Sequence, residues 1–174
     1  MSTKPGELKW LWAPWRIPYL RQITKKEDRK IPCFFCAYAK QPKQDRRNLV
    51  VHRGTSCFTV LNRFPYQGGH LLVAPKAHKG DLELLTETER RELFDQLILM
   101  QRALERLMHP HGFNIGLNLG RAAGAGVPGH VHFHLVPRWN GDTNFMAAVA
   151  DTKVIPQALL DLHAELQKAV RAIR

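Results

Sequence analysis

Residues 129–139 read GHVHFHLVPRW and set histidines at 130, 132 and 134, every second position, with Val131, Phe133 and Leu135 between and after them. Side chains alternate between the two faces of a β-strand. A strand here carries His130, His132 and His134 on one face and turns the three apolar residues to the other. A single strand histidine is ordinarily a satisfied polar group. Three on one face form an imidazole row suited to metal binding or to nucleophilic and acid–base catalysis. The chain enters this stretch through GRAAGAGVPG, residues 120–129, with glycines at 120, 124, 126 and 129. Glycine lets the backbone approach a ligand and turn N–H groups toward it, as phosphate sites require. Alone, such a loop reads equally as a flexible connection.

Working outward, FNIGLNLG (113–120) predicts the strand before this loop. Further upstream, NLVVH (48–52), CFTVLN (57–62) and HLLVAP (70–75) predict three short strands. RFPYQGG, with Pro65 and the Gly68-Gly69 pair, reads as the turn joining the last two. Thr86 followed by Glu89 is a capping-box signature. Leu93, Leu97, Met100, Leu104 and Leu107 continue from it as an apolar stripe at helical spacing, read as a core face. His109, Pro110 and Gly112 mark its exit. A last helix covers IPQALLDLHAELQKAVRAIR, with Pro156 near its first turn. Strands, long helix, two strands and a helix define an α+β fold with an antiparallel sheet of about five strands. Residues 1–47 read as irregular, with prolines at 5, 14, 18, 32 and 42. Cys57, alone in a strand, reads as core.

The 174 residues suit one domain with a short appendage. Lys and Arg total 26 against 15 Asp and Glu, a formal charge of +11. That balance favours anionic partners without choosing among phosphorylated small molecules, nucleic acid and acidic lipid. No apolar run approaches membrane-spanning length and the start has no apolar leader core, so no membrane partner is expected. Three cysteines do not make a secreted disulfide framework, and a cytoplasmic location is expected.

HVHFHLV fits the His-φ-His-φ-His-φ-φ signature of the histidine triad superfamily of nucleotide hydrolases and transferases. VLNRFPYQGGHLLVAPKAH resembles that superfamily's strand–turn–strand segment before the long helix. GFNIGLNLG, AGAG and GHVHFHLVPRWNGDTNF are most similar to the branch holding the fragile-histidine-triad enzymes and the bacterial diadenosine polyphosphate phosphorylases. LWAPWRIPYL and VIPQALLDL also resemble phosphorylase-like members. The resemblance spans roughly Pro32 to Phe145. It implies a histidine-triad domain over 32–145, an irregular segment over 1–31 packed on the domain or on a partner subunit, and a C-terminal helical extension over 146–174.

The resemblance further implies a dinucleoside polyphosphate substrate, such as diadenosine tetraphosphate, cleaved through a nucleotidyl-histidine intermediate. His132, the middle histidine, would be the nucleophile. His134 would hydrogen-bond phosphate oxygens and assist the leaving group. The loop through Gly124, Ala125, Gly126 and Gly129 would stabilise developing charge. Asn62 falls where relatives contact ribose, and Asn118 where they orient the loop or touch phosphate. His70 falls near the floor of the site, as a phosphate contact or a structural hydrogen bond. Phe58 and Leu61 read as core or as the wall of a base pocket. Many hydrolase members carry Gln or Ser just before the triad; here Gly126 and Val127 stand there, leaving room for inorganic phosphate and favouring phosphorolysis over hydrolysis.

CFFC, residues 33–36, reads by itself as a metal half-site, a redox pair or coincidence. The resemblance implies a structural Zn²⁺ held by Cys33, Cys36, His78 and His130. It leaves open whether Mg²⁺ accompanies the substrate. It also implies a homodimer, which the aromatic N-terminal segment could extend to a tetramer. A competing reading is a non-catalytic nucleotide- or RNA-binding module. Basic residues 16–47 and the aromatics Trp10, Trp12 and Trp15 are its basis, but no RNA-binding signature accompanies them.

Overall fold

The computed structural model describes residues 32–142, 155 and 157–173. Short helices open it: α1 (Phe34–Ala39), a 3₁₀ turn (Pro42–Gln44) and α2 (Asp45–Asn48). Over 33–47 these correct the reading of residues 1–47 as irregular: Pro32 precedes the first helix and Pro42 opens the 3₁₀ turn, where a missing N–H costs nothing. Strands β1 (Val50–Arg53), β2 (Cys57–Leu61) and β3 (Leu71–Pro75) follow. Next come the long helix α3 (Glu87–Met108), β4 (Gly112–Leu117), β5 (Phe133–Arg138) and helix α4 (Leu159–Ile173). The sheet is five-stranded, antiparallel at every pairing, in the order β1-β2-β3-β5-β4. This is the expected α+β architecture. Among the described residues no helix is long and apolar enough to cross a membrane.

Every residue of β2 and β3 is buried, because the sheet is covered on both faces there. Cys57 and Thr59 turn toward α3, where Thr59 Oγ1 donates to Gln96 Oε1 at 2.7 Å and the Cys57 thiol points at the Glu89 carbonyl. Phe58 turns the other way and meets Phe35 of α1 edge-on at 6.2 Å. On α3 the stripe Leu93, Leu97, Met100 and Leu104 is buried as its spacing predicts, and Leu107 at the last turn is partly buried. Both halves of the capping box at Thr86 and Glu89 form. Helix α4 docks on β1 and α3; its buried His163 donates from Nε2 to the Val50 carbonyl at 2.9 Å. Pro156, expected near the first turn of this helix, lies outside the described residues, as do Trp10, Trp12 and Trp15.

The histidine stretch departs from expectation in one respect. β5 begins at Phe133, so His130 and His132 precede the paired strand. The register sets Leu72 opposite His134 and Val73 opposite Phe133. Continued, it would set Pro75 opposite Val131, and proline has no N–H to offer a ladder. The chain is held differently there: Val131 N–H donates to the Lys79 carbonyl at 2.7 Å.

Candidate active site

His132 and His134 have ring centroids 5.0 Å apart, and Phe35 packs against both His130 and His132 at 5.0 and 4.9 Å. His132 Nδ1 donates to the carbonyl of His130 at 2.8 Å. A carbonyl can only accept, so the proton of the neutral ring sits on Nδ1 and the lone pair on Nε2. Burial lowers the pKa of His132, which keeps that lone pair free near neutral pH.

His134 is held by a second histidine. His70 is fully buried and its Nε2 lies 2.9 Å from His134 Nδ1. The Tyr66 backbone N–H donates to His70 Nδ1 at 3.0 Å, and the Asn62 amide Nδ2 approaches the same nitrogen at 3.2 Å. His70 Nδ1 is therefore an acceptor, Nε2 carries the proton, and His134 Nδ1 accepts it. The remaining N–H of His134 is on Nε2. Burial, and next the neighbouring His132, push the pKa of His134 down to about 4. His70 thus lies behind His134, with both ring nitrogens engaged inside the protein.

Asn62 lines a cavity of about 200 Å³ together with Phe34, Tyr38, Val60, Leu61 and Leu72, and Arg63 and Phe64 line it too. Leu61 belongs both to the core and to this wall, whereas Phe58 is core. In the glycine-rich loop the N–H of Gly124 is used by Arg121 and that of Ala125 by Gly120. The N–H groups of Gly126, Val127 and Gly129 have no protein partner among the described residues. Asn118 Nδ2 reaches the Gly124 carbonyl at 3.5 Å. Gly124 has φ of +87°, which an L side chain would strain, and a Cβ at Gly129 would come 3.3 Å from His78 Nε2.

Cys33, Cys36, His78 and His130 converge. One ligand atom from each lies within 4.8 Å of all the others. Cys36 Sγ is 3.2 Å from His78 Nδ1, and His130 Nδ1 is 3.3 and 3.6 Å from the sulfurs of Cys33 and Cys36. A tetrahedral ion bound at ordinary metal–sulfur and metal–nitrogen lengths separates its ligands by about 3.5 Å. His130 Nε2 donates to the Pro75 carbonyl at 2.8 Å, so its lone pair is on Nδ1 and faces the sulfurs. That carbonyl is the outer partner that orients a ligating imidazole. Burial keeps His130 neutral and raises the Cys36 thiol, as does neighbouring Cys33. The group could hold a metal ion.

Sequence reading overlooked Phe35 behind the triad, the Phe34–Tyr38 wall, and Tyr66. The exposed aromatics of RFPY in a turn were the available signal for the last.

The HIT domain model matches residues 43–141, more than half of the sequence. The chain belongs to this histidine-triad family. The AP-4-A phosphorylase of Mycobacterium tuberculosis is 41% identical over 157 residues, covering 89% of this chain and 80% of that protein. The asymmetrical bis(5'-nucleosyl)-tetraphosphatase of Schizosaccharomyces pombe is 34% identical over 93 residues, 53% of this chain and 50% of that protein. Among solved structures, a Zn-bound histidine triad family protein from Mycobacterium smegmatis superposes with a TM-score of 0.65 at 26% identity, over 82% of this chain and 95% of that one.

Proposed function

We propose that the protein is a nucleotidyl-transferring phosphorylase that cleaves dinucleoside polyphosphates with inorganic phosphate. The likeness to the AP-4-A phosphorylase supports the reaction. The observation that carries the site is the His132–His130 hydrogen bond, because it leaves the His132 lone pair on Nε2. That nitrogen attacks the α-phosphorus of diadenosine tetraphosphate. A P–N bond forms, the P–O bond to the β-phosphate breaks, and ATP departs. Its terminal oxygen is stable as an anion, so a hydrogen bond from His134 Nε2–H suffices to ease departure. An oxygen of inorganic phosphate then attacks the same phosphorus, the P–N bond breaks, and ADP forms as the phosphate's proton is released. The free N–H groups of Gly126, Val127 and Gly129 stabilise the phosphoryl oxygens. Asn118 orients that loop, with Gly124 and Ala125 as its frame. The cavity takes the nucleoside, with Asn62 at the ribose.

In the same reading Cys33, Cys36, His78 and His130 hold Zn²⁺, a closed structural site that ties α1 to the triad segment. The Zn-bound relative and the donor set support it. The histidine-triad domain spans 32–145. Phe94 and Ile98 on α3 and Ile115 on the edge strand β4 are large and exposed, and they support a homodimer through the long helix and the sheet edge. Three free cysteines and a nucleotide substrate suit the cytoplasm.

Product analysis tests the reaction. Diadenosine tetraphosphate is incubated with and without phosphate, with and without Mg²⁺, for wild type and His132→Ala. ADP plus ATP that requires phosphate and vanishes in the variant is the expected result. AMP plus ATP without phosphate would make the protein a hydrolase. Binding without turnover, falling steeply with salt, would return it to the binding-module reading.

A further inference from the structure

We propose that the ring of Tyr66 is a positioning residue for His134, a role that rests on the reading of His134 as the leaving-group partner. Tyr66 touches both members of the His70–His134 pair. Its backbone N–H sets the tautomer of His70, and its ring stacks on the imidazole of His134 at 5.8 Å and 13° while lying 4.7 Å from His70. Tyr66 is more than half exposed, so burial of apolar surface does not account for its place. The turn that carries it is pinned to His70: Asn62 N–H donates to the His70 carbonyl, His70 N–H to the Gln67 carbonyl, and Phe64 N–H to Asn62 Oδ1.

The other rings beside His134, His132 at 5.0 Å and His70 at 5.1 Å, are tilted to it and not parallel. In register with it on β4 stands Gly116, and a Cβ built there would meet nothing within 4 Å. Among the described residues the Tyr66 ring is the one stacked on His134, and the hydroxyl makes no hydrogen bond. Ring stacking restricts rotation about the imidazole's side-chain torsions, and a restricted ring keeps its Nε2–H aimed at one point. The contribution is therefore one of direction, made by the ring and not by the hydroxyl.

The test compares wild type, Tyr66→Phe and Tyr66→Ala on aryl esters of AMP graded in leaving-group basicity. Tyr66→Ala is expected to lower kcat about tenfold or more for the most basic leaving group and progressively less for weaker bases, with KM nearly constant. Tyr66→Phe is expected to match wild type. Nitrogen-15 spectra of the histidine rings give a readout that needs no turnover. His134 should show one tautomer, protonated at Nε2, in all three proteins, because His70 and the backbone N–H of residue 66 set it, whereas relaxation should report a ring as ordered in Tyr66→Phe as in wild type and a more mobile one in Tyr66→Ala. An equal kcat loss across all leaving groups, a Tyr66→Phe as impaired as Tyr66→Ala, or a His134 ring as ordered in Tyr66→Ala as in wild type would overturn the proposal. Turnover that survives His132→Ala would instead sink the nucleophile assignment, and the ring spectra would still decide the role of Tyr66.

Discussion

His70 and His134 share one hydrogen bond of 2.9 Å, from Nε2 of the buried ring to Nδ1 of its neighbour. Because Tyr66 N–H occupies the other nitrogen of His70, the direction of this bond is fixed, and with it the tautomer of His134. Replacing His70 by Phe keeps most of the volume and removes the donor. His134 then has no partner for Nδ1, and kcat should fall roughly 10- to 100-fold, the usual scale for loss of an orienting partner. A kcat equal to wild type in the folded variant would show that His134 does not need His70.

His132→Ala should lower kcat by about 10³-fold or more, since it removes the atom that forms the covalent bond. Mass spectrometry of wild type quenched during turnover should find one nucleotidyl group on the peptide containing His132. An adduct on another residue would relocate the nucleophile.

The buried imidazoles give the protein a signed pH dependence. Unfolded histidine protonates near pH 6.5, whereas His134 in the fold protonates at about 4, and His132 is shifted in the same direction. Between these values the unfolded chain binds the proton and the folded one does not. Stability is therefore complete above the unfolded value and declines as pH falls through 6.5 toward 4. For His134 this is at most about 3 kcal/mol over that interval, less the solvent screening of a partly exposed ring and the share that depends on His132. Urea unfolding at pH 7.5, 6 and 5 measures it, and His134→Gln should flatten the curve. The acid limb of kcat/KM should likewise lie below the ordinary imidazole range, since protonated His132 has no lone pair.

Removing metal should loosen α1 from the triad segment. A strong chelator, or Cys36→Ser, is expected to lower Tm by several degrees and to release close to one equivalent of zinc, measured by a colorimetric indicator. The effect on kcat should be smaller than that of His132→Ala, because His130 is tied to Pro75 as well. An unchanged Tm together with no metal release would exclude a structural ion at this group.

The first turn of α3 offers a check on the fold alone. Thr86 Oγ1 accepts from Glu89 N–H at 3.2 Å, and Glu89 Oε2 accepts from Thr86 N–H and from Lys79 Nζ. Thr86→Ala should cost about 1 kcal/mol of stability with kcat unaltered. Glu89→Ala should cost more, because it also strands the partly buried ammonium of Lys79.

Much of this was written locally. The two-residue period of residues 130–135, the capping box at Thr86 and the helical stripe from Leu93 to Leu104 depend only on near neighbours in the chain. They specified the element order, the antiparallel class and the residues that could carry chemistry. The four possible metal ligands were also legible, but through resemblance, since spacings as wide as 36 to 78 to 130 carry no local geometry.

Other features exist only when distant segments meet. That β5 starts at Phe133 and not at His130 depends on Pro75, which comes opposite through the β3–β5 register. The tautomer of His134 depends on His70, 64 residues away in the chain, and on the backbone N–H of Tyr66. The stacking of Tyr66 on His134 depends on a turn folding back over a strand from the far end of the domain. Sequence periodicity assigns side chains to faces; hydrogen-bond direction and ring orientation are set by which groups arrive opposite them, and that is decided by the tertiary fold.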